Sequence, residues 1–255
     1  MDRKEVFEGS GPTSATKMKA KLGATKDGKL TAGQLYLAYE AGAFPGSPVG
    51  GGAMSGLGPY NIENILIDVY DVVCNKQKVQ AYRAPGQPQA AFAVECAIDE
   101  LAEKLGMEPM ALRLNNAVKE GDRMPTGVPH AVFGCKELEE SMVNHPHFSA
   151  PLGGANRGRG IAVGFRWQGG QTSSATINVN SNGSLNLITG SVDIGGTRTA
   201  VAMQAAETLG LAVEDIFPTV GDTDAVGYTA NTGGSRTAFD TGLAAIAAAE
   251  EVKKQ

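Results

Sequence analysis

The chain has 255 residues, of which 42% are hydrophobic, so it can bury a sizeable core and is not expected to be disordered. Its formal net charge of -5 provides no basic field of the kind that follows a phosphate backbone, which excludes nucleic acid as an expected partner. Charged residues follow Met1, and no segment approaches the roughly 20 apolar residues of a spanning helix, so neither secretion nor a membrane partner is expected.

The first half of the chain is predicted to be strands followed by helices. Alternating apolar residues at 30–39 and 62–73 predict two strands. Apolar residues at helical spacing predict a long helix over 88–106, which Pro88 can begin and Gly106 can end. Two shorter helices are predicted over 109–118 and 135–144.

The strand-then-helix order starts again in the second half. Strands are predicted at 160–167, 174–180 and 184–189, followed by helices at about 198–210 and from about 237 to the end. The fold class predicted from this order is mixed α+β.

We place the boundary between two αβ units in the segment 146–157, which is rich in proline and glycine, and assign residues 1–150 to the first unit and 151–255 to the second. Both ends of the chain look like cuts through a longer polypeptide, although an unusually short natural subunit would look the same.

Glycine is abundant, with 34 residues that cluster at 46–58, 153–160, 190–196 and 231–236. Most such clusters are turns, because glycine tolerates the backbone angles that turns need. The alternative is a backbone that approaches a ligand closely, where a side chain would block its N–H groups.

An arginine turn precedes the long helix, in the sequence AYRAPGQPQ at 81–89. Two prolines fix φ in this turn and the glycine permits a positive φ, so the backbone is stiff where Arg83 projects. The start of the next helix adds free N–H groups and the positive end of its dipole. The turn therefore suits an anion, an oxo group or a polarised carbonyl. The alternative is an arginine that pairs with a carboxylate on an ordinary loop.

Two loops in the second half are further candidates for binding. Gly195, Gly196 and Thr197 join a strand to a helix and offer N–H groups to phosphate or a pterin edge, although they match neither GxGxxG nor a P-loop. In 221–237, hydroxyls and N–H groups could bind a polyoxygenated ligand, or Ser235 and Thr237 could simply cap the last helix.

Other familiar chemistry is missing from the sequence. The three cysteines are far apart with no CxxC pair, which indicates neither a zinc site nor a disulfide framework and fits a reducing cytoplasm. The three histidines have no matching ligand spacing, and no serine hydrolase pattern occurs. Asp222 and Asp224 without a third ligand do not indicate a metal site, so no metal-binding residues are predicted.

Together and in this order, the segments resemble the molybdopterin-binding large subunit of the xanthine dehydrogenase/aldehyde oxidase family of molybdenum hydroxylases. The most specific block is LGPYNIENILIDVYDVVCNKQKVQAYRAPGQPQAAFAVECAIDELAEKLGMEPMALRLNN, at 57–116, and SVDIGGTRTAVAMQAAETLG and TGGSRTAFDTG follow it. The resemblance implies a molybdenum-cofactor-binding domain fragment, whose molybdopterin is either the simple form or the cytosine dinucleotide.

The family's activity would then be the transfer of a water-derived oxygen to a carbon of an aldehyde or N-heterocycle. The resemblance implies that Arg83 and Arg113 are catalytic residues, Arg83 as the active-site arginine that stabilises negative charge and Arg113 as a downstream arginine that also lies near the substrate and cofactor pocket. Considered by itself, Arg113 is expected to be a surface or ion-paired residue.

The resemblance further assigns binding surfaces. The cofactor-binding residues are Ala84, Gly195, Gly196, Thr197, Thr232, Gly233, Gly234 and Ser235. The substrate pocket is assigned to Tyr82, Phe165 and Trp167, although Phe165 and Trp167 are equally compatible with a core position.

Two departures from the family pattern matter. The family's pterin loop commonly reads Gly-Gln-Gly where this chain has Ile194-Gly195-Gly196, so the resemblance does not supply the glutamine side-chain contact to the cofactor. The general base of the family is a glutamate in a Gly-x-Gly-Glu-like motif, which these residues lack, and Glu95, Glu100 and Glu103 on the long helix are expected to face solvent or to pack.

Three hypotheses remain open at this point. In the first, the chain is part of a molybdenum hydroxylase and is inactive alone. Its partners are then the remaining molybdopterin domains and the subunits or domains that carry FAD and iron–sulfur clusters. Alternatively, it is a non-catalytic cofactor-binding or assembly module that a second polypeptide completes. A metal-free enzyme that uses Arg83 as an anion site is the third hypothesis.

Overall fold

Residues 1–166 and 170–255 are described by a computed structural model, which contains helices and strands in both halves of the chain. The chain divides into two units, Met1–Trp167 and Gln168–Gln255, and each unit has a three-stranded sheet. The mixed α/β class predicted from the sequence is confirmed.

The first unit contains most of the helices. Its elements in chain order are α1 (Arg3–Gly9), β1 (Thr16–Ala24), β2 (Leu30–Gly42), α2 (Val49–Ser55), β3 (Asn64–Val73), α3 (Gln87–Leu105), α4 (Pro109–Asn116), α5 (Cys135–Val143) and α6 (Pro146–Ser149). The middle strand of its sheet is β2, which is antiparallel to β1 and parallel to β3.

The core of the first unit lies between this sheet and α3. Alternate residues of β2, among them Leu35, Leu37 and Tyr39, have no exposed surface, because successive side chains of a strand point to opposite faces. Val94 and Ile98 of α3 are four residues apart, which places them on one side of the helix, and both belong to the same buried cluster.

The elements with strong local signals are confirmed. The strand predictions at 30–39 and 62–73 correspond to β2 and β3, and the helix prediction at 88–106 corresponds to α3. Gly106 ends α3 with a φ of 67°, and its N–H donates to the Ala102 carbonyl. This is the left-handed C-terminal conformation that favours glycine.

Four elements of the first unit were not predicted from the sequence, namely the short helices α1 and α6, the strand β1 and the helix α2. In β1, lysines alternate with smaller apolar residues, and this alternation alone did not indicate a strand clearly enough. The glycine-rich segment expected to be turns contains α2, although glycine weakens an isolated helix by up to about 1 kcal/mol per residue. Tertiary contacts of α2, described below, explain why a helix forms there.

The segment 151–166 belongs with the first unit, whereas the sequence placed it in the second. The Val163 N–H donates a buried hydrogen bond of 2.8 Å to Glu95 of α3, and Phe165 lies against Gly58. The prediction of a strand at 160–167 is wrong over the described residues 160–166, which form no regular strand. These packing contacts hold the segment to α3 without a ladder of strand pairing.

The second unit repeats the arrangement of strands. Its elements are β4 (Ala175–Val179), β5 (Leu185–Thr189), α7 (Thr197–Leu209), a 3-10 turn (Val213–Asp215), β6 (Ile216–Val220), a π-helical turn (Thr237–Thr241) and α8 (Gly242–Lys254). Here β5 is antiparallel to β4 and parallel to β6. Four of these elements had been predicted, whereas β6 had not.

Small residues make the core of the second unit. Ala202, Ala205 and Ala206 of α7 and Ala245 and Ala249 of α8 are buried against the sheet, which lets the two helices pack closely. In the parts of the chain that the structure describes, no helix is long and apolar enough to cross a membrane.

Candidate functional site

The Arg83 turn has an unusual backbone. Arg83 and Ala84 have φ values of 28° and 49°, in the left-handed region that residues with a side chain rarely adopt. Each such residue costs on the order of 1–3 kcal/mol and persists only where its surroundings enforce it. Two in succession therefore indicate a turn that neighbouring elements hold in place.

The contacts of Gly86 show how the turn is held. The Tyr39 hydroxyl of β2 donates a buried hydrogen bond of 2.8 Å to the Gly86 carbonyl, and burial raises the pKa of Tyr39 to about 12. Gly86 itself has a φ of 82°, and a Cβ on it would lie 2.0 Å from the Pro48 carbonyl oxygen. Only glycine fits at this position.

The glycines of α2 show how a second element supports the arginine turn. A Cβ on Gly51 would lie 2.5 Å from the Pro85 carbonyl oxygen, and one on Gly52 would lie 2.9 Å from the Gly86 carbonyl oxygen. The backbone of α2 thus lies directly against the arginine turn. The glycines of this cluster do allow a close backbone approach, but the approached group is the chain's own turn, and the ligand-binding interpretation of the cluster stays a prediction.

The side chain of Arg83 is exposed, and its guanidinium lies 5.9 Å from the centre of the Tyr82 ring. No carboxylate among the described residues forms an ion pair with Arg83, so the ion-paired alternative does not hold in this structure. The start of α3 follows within four residues, which adds the positive end of a 19-residue helix to the same side of the turn. The turn therefore presents positive charge to solvent.

Arg113 does not accompany Arg83 at this surface. Its side chain is 0% exposed, and its guanidinium donates to Glu95 at 2.9 Å, to Asp99 at 2.8 Å and to the Pro109 carbonyl at 3.1 Å. The ion-paired interpretation of Arg113 is correct, and the assignment to a substrate pocket is not supported, because no donor is left to face a ligand.

Glu95 is the centre of a buried polar network that the sequence did not indicate. It pairs with Arg113, accepts a hydrogen bond from the Tyr60 hydroxyl, and accepts one from the Val163 N–H. Burial and the Glu95 charge raise the pKa of Tyr60 far above its usual range. Of the two positions expected for Glu95, solvent-facing or packed, the packed one is therefore correct. The network joins α3, α4 and the segment around Val163.

In the second unit, Gly195 and Gly196 form an exposed loop before α7. Both have positive φ values, 59° and 91°, and no atom lies within 4 Å of where their Cβ atoms would be. Asp193 accepts hydrogen bonds from the Thr197 hydroxyl and the Arg198 N–H, which lowers the pKa of Asp193. Among the described residues, no acceptor receives the N–H groups of Gly195, Gly196 or Thr197.

The loop containing Thr232, Gly233, Gly234 and Ser235 is anchored by Arg236, a residue that sequence reasoning missed. Its side chain is 0% exposed and pairs with Asp240 at 3.2 Å. It also donates to the carbonyls of Ala230 at 3.0 Å and Thr172 at 2.9 Å. An arginine directly after a Gly-Gly-Ser loop was the available signal.

Residues that flank the two loops of the second unit contact each other. The Ser191 and Thr241 hydroxyls are hydrogen-bonded at 2.7 Å, and the Gln204 side chain donates to the Ala238 carbonyl at 3.1 Å. A π-helical turn with Arg236 at its N-cap lies between Ser235 and α8, and the N-cap of α8 is Thr241, so the prediction that Ser235 or Thr237 caps the last helix is wrong. Such turns are frequent at functional sites.

The structure gives less support to the remaining candidate site residues. Tyr82 is 61% exposed beside Arg83. Phe165 is half-buried and packs edge-on against His130, with 5.5 Å between ring centres, and its assignment to the substrate pocket stays a prediction. Trp167 lies outside the described residues. Asp222 accepts from the Asp224 N–H within its own turn, and no group of three metal-ligating side chains occurs in the described ranges.

Comparison with known proteins explains this combination of an arginine turn and two glycine loops. Two family models, both described as molybdopterin cofactor-binding domain, match residues 1–117 and 141–255. The chain belongs to this molybdopterin-binding family of aldehyde oxidoreductases and xanthine dehydrogenases. The resemblance inferred from the sequence is thereby confirmed.

Relatives of this molybdopterin-binding family match almost the whole chain. The aldehyde oxidoreductase of Megalodesulfovibrio gigas is 33% identical over 96% of the chain, and a putative xanthine dehydrogenase molybdenum-binding subunit of Escherichia coli is 26% identical over 100%. Quinoline 2-oxidoreductase from Pseudomonas putida 86 superposes with a TM-score of 0.82 at 26% identity, over 100% of the chain. The chain spans only 29% to 36% of the length of these relatives.

The loops of this molybdopterin-binding chain suit a cofactor that carries phosphate and a pterin. Such a group needs many hydrogen-bond donors and little steric obstruction, and the open N–H groups at Gly195 and Gly196 supply both. Thr197 at the start of α7 adds the positive end of a helix. The donor chemistry of the second unit therefore fits molybdopterin.

Proposed function

We propose that the chain contributes molybdopterin- and substrate-binding surface to a molybdenum hydroxylase that acts on an aldehyde or an N-heterocycle. One observation carries the proposal: the backbone of Arg83 and Ala84 is held in a costly conformation by buried contacts, while the arginine side chain stays exposed and unpaired among the described residues. Strain that presents a charged group to a site is characteristic of functional positions.

Each loop has a separate role in this proposal. Arg83 stabilises the negative charge that develops on the substrate during oxygen attack, and Ala84 lies beside it against the cofactor. The N–H groups of Gly195 and Gly196 and the hydroxyl-bearing loop at 232–235 hold the pterin and its phosphate tail, either simple or as the cytosine dinucleotide. When bound, the cofactor supplies the oxygen-transfer and two-electron chemistry.

The general base is assigned to polypeptide outside these residues. The 255 residues contain no Gly-x-Gly-Glu sequence, and the buried Glu95 is committed to Arg113 and Tyr60. We therefore expect the isolated chain to be inactive. In this proposal it acts in the cytoplasm with the remaining molybdopterin domains and with partner subunits or domains that carry FAD and iron–sulfur clusters.

The decisive experiment compares Arg83→Ala with the control Arg3→Ala in the assembled enzyme, since Arg3 is an exposed arginine of the same unit. Arg83→Ala should lower kcat/KM by about 100-fold or more, because it removes charge stabilisation from the transition state, while molybdenum content and thermal stability stay at the control level. An unchanged rate would remove Arg83 from the mechanism.

A second candidate function is a non-catalytic cofactor-binding or assembly module. Two observations favour this second function: the glycine loops are well formed, and these residues contain no glutamate in a Gly-x-Gly-Glu-like motif to act as the general base. An assembly that binds molybdopterin stoichiometrically but oxidises neither aldehydes nor N-heterocycles would support this function over the first. Hydroxylase activity of the isolated chain with bound molybdenum would contradict both.

A further inference from the structure

The sheet of the first unit has two edges of opposite character. The outer face of β1 carries Lys17, Lys19 and Lys21, all exposed, while its other face packs on the core. Lysines on an edge strand oppose pairing with other polypeptides. The opposite edge strand, β3, has the sequence NILIDVYDVV and contains neither lysine nor proline. Only one of the two edges is protected.

The unprotected strand is apolar on both faces. Leu66 and Tyr70 lie on the outer face, where Tyr70 contacts Tyr36 of β2 with 5.1 Å between ring centres, and they are 54% and 51% exposed. On the inner face, Ile65 and Ile67 pack against the core cluster. A strand with one solvent-facing side would show polar residues at every alternate position, whereas only Asn64 and Asp68 are polar on this outer face.

The acidic residues of β3 do not guard its edge. Both carboxylate oxygens of Asp71 accept hydrogen bonds from the backbone of the preceding loop, from Gly46 at 2.7 Å and Ser47 at 2.8 Å. These bonds hold the Asp71 side chain over the connection to α2. Asp68 is then the single remaining charge along ten residues of exposed edge.

A strand of this composition belongs in the interior of a sheet. Strands that pair in parallel and are covered on both faces have near-continuous apolar sequences, and β3 pairs in parallel with β2. Among the residues that the structure describes, however, no strand pairs with the side of β3 that faces away from β2. A long, apolar and unpaired edge is a template for another strand.

We propose that β3 is an interior strand in the assembled protein, where a further β-strand pairs with its free edge. Its occupant is an extended segment with apolar side chains from the remainder of a molybdopterin-binding subunit. The identity of the occupant rests on the proposed function and on the length of the relatives, of which this chain spans 29% to 36%. The same segment, or its continuation, covers Leu66 and Tyr70 on the outer face.

Hydrogen exchange tests the strand pairing directly. Amides of residues 64–73 should exchange about tenfold or more slowly in the natively purified assembly than in the isolated chain, because new inter-strand hydrogen bonds protect them, whereas amides of β1 should not change. The strand that pairs with β3 should also exchange more slowly, and it should belong to the molybdopterin-binding subunit. Equal exchange of β3 in both samples would overturn the proposal.

Substitution provides a matched comparison. Leu66→Lys places a charge on the exposed face of β3, and Leu138→Lys makes the same change on α5, where the leucine is 60% exposed. Leu66→Lys should reduce recovery of the assembly about tenfold relative to Leu138→Lys, while both isolated chains keep wild-type circular dichroism. Equal recovery of the two variants would contradict an interface at β3.

Three further outcomes are informative, and the last two separate this inference from the proposed function. An isolated chain that dimerises with protected β3 amides would show that a second copy, not another segment, occupies the edge, and would overturn the proposal. An active molybdenum enzyme with unprotected β3 would overturn this inference alone. Protected β3 in an assembly that contains no molybdenum would support the interface and contradict the proposed function.

Discussion

The Tyr39 hydroxyl lies 2.8 Å from the Gly86 carbonyl oxygen and donates a buried hydrogen bond to it. This bond ties the middle strand of the first sheet to the turn on which Arg83 projects. The exposed arginine is thus positioned by a buried side chain that lies 47 residues before Gly86 in the chain.

Replacing this hydroxyl tests its positioning role. Tyr39→Phe leaves the Gly86 carbonyl without its partner inside the core and should reduce the free energy of unfolding by about 1–2 kcal/mol. In the assembled enzyme it should also lower kcat more than it changes KM, because the arginine turn loosens. Urea unfolding and steady-state kinetics measure the two effects.

The matched control is Tyr36→Phe, which removes a hydroxyl on the outer face of the same strand, where Tyr36 contacts Tyr70. That variant should be near wild type in both measurements. If Tyr39→Phe loses stability but retains wild-type kcat, Tyr39 is structural only and does not position the turn.

The glycines of α2 provide a second test of how the turn is held. Gly51→Ala puts a Cβ 2.5 Å from the Pro85 carbonyl oxygen, so α2 and the turn must separate, at a cost of about 1–3 kcal/mol. Gly50→Ala meets no atom within 4 Å and should be neutral or stabilising by up to about 1 kcal/mol. Thermal unfolding of both variants measures the difference, and equal effects would show that α2 does not support the turn.

A pH dependence of stability is expected from Glu139 of α5. Its side chain is buried with one carboxylate oxygen unpartnered in the described structure, and burial raises its pKa from 4.5 to about 7. Cys135 and Arg113 favour the ionised form, whereas the Glu95 charge opposes it. Because the folded pKa is raised, the protonated form stabilises the fold below about pH 4.5, and this contribution is lost as the pH rises towards 7 and above.

The variant Glu139→Gln removes this ionisation. The free energy of unfolding of the variant should exceed that of wild type at pH 8 by about 1–3 kcal/mol, and the difference should shrink at pH 5. Glu137→Gln, on the exposed side of the same helix, should show no such pH-dependent gain. Parallel urea titrations at the two pH values measure the effect, and a constant difference would mean that Glu139 does not titrate in this range.

Arg113 should behave as a structural residue, in contrast to Arg83. Arg113→Met leaves the Glu95 charge buried without its partner and should destabilise the fold by about 3–5 kcal/mol. Adding Glu95→Gln should recover part of this loss, because the unpaired charge is gone. A stable Arg113→Met variant that loses only turnover would restore the catalytic assignment.

Local sequence signals determined the elements that depend on neighbouring residues. Pro88 and Gly106 delimit α3 because one fits the first helical turn and the other tolerates a φ of 67°, and both effects act within a few residues. The alternation in β2 likewise specified which side chains are buried. The specific block at 57–116 was sufficient to indicate the family.

Distant contacts decided what the sequence left open. The sequence by itself determined α3, β2, the arginine turn and the molybdopterin-binding family. Only the tertiary structure showed that Arg113 is enclosed by Glu95 and Asp99, that α2 forms against the turn at Gly86, and that Arg236 anchors the last loop. The physical reason is that burial and ion pairing join residues far apart in the chain, which periodicity and turn chemistry do not register.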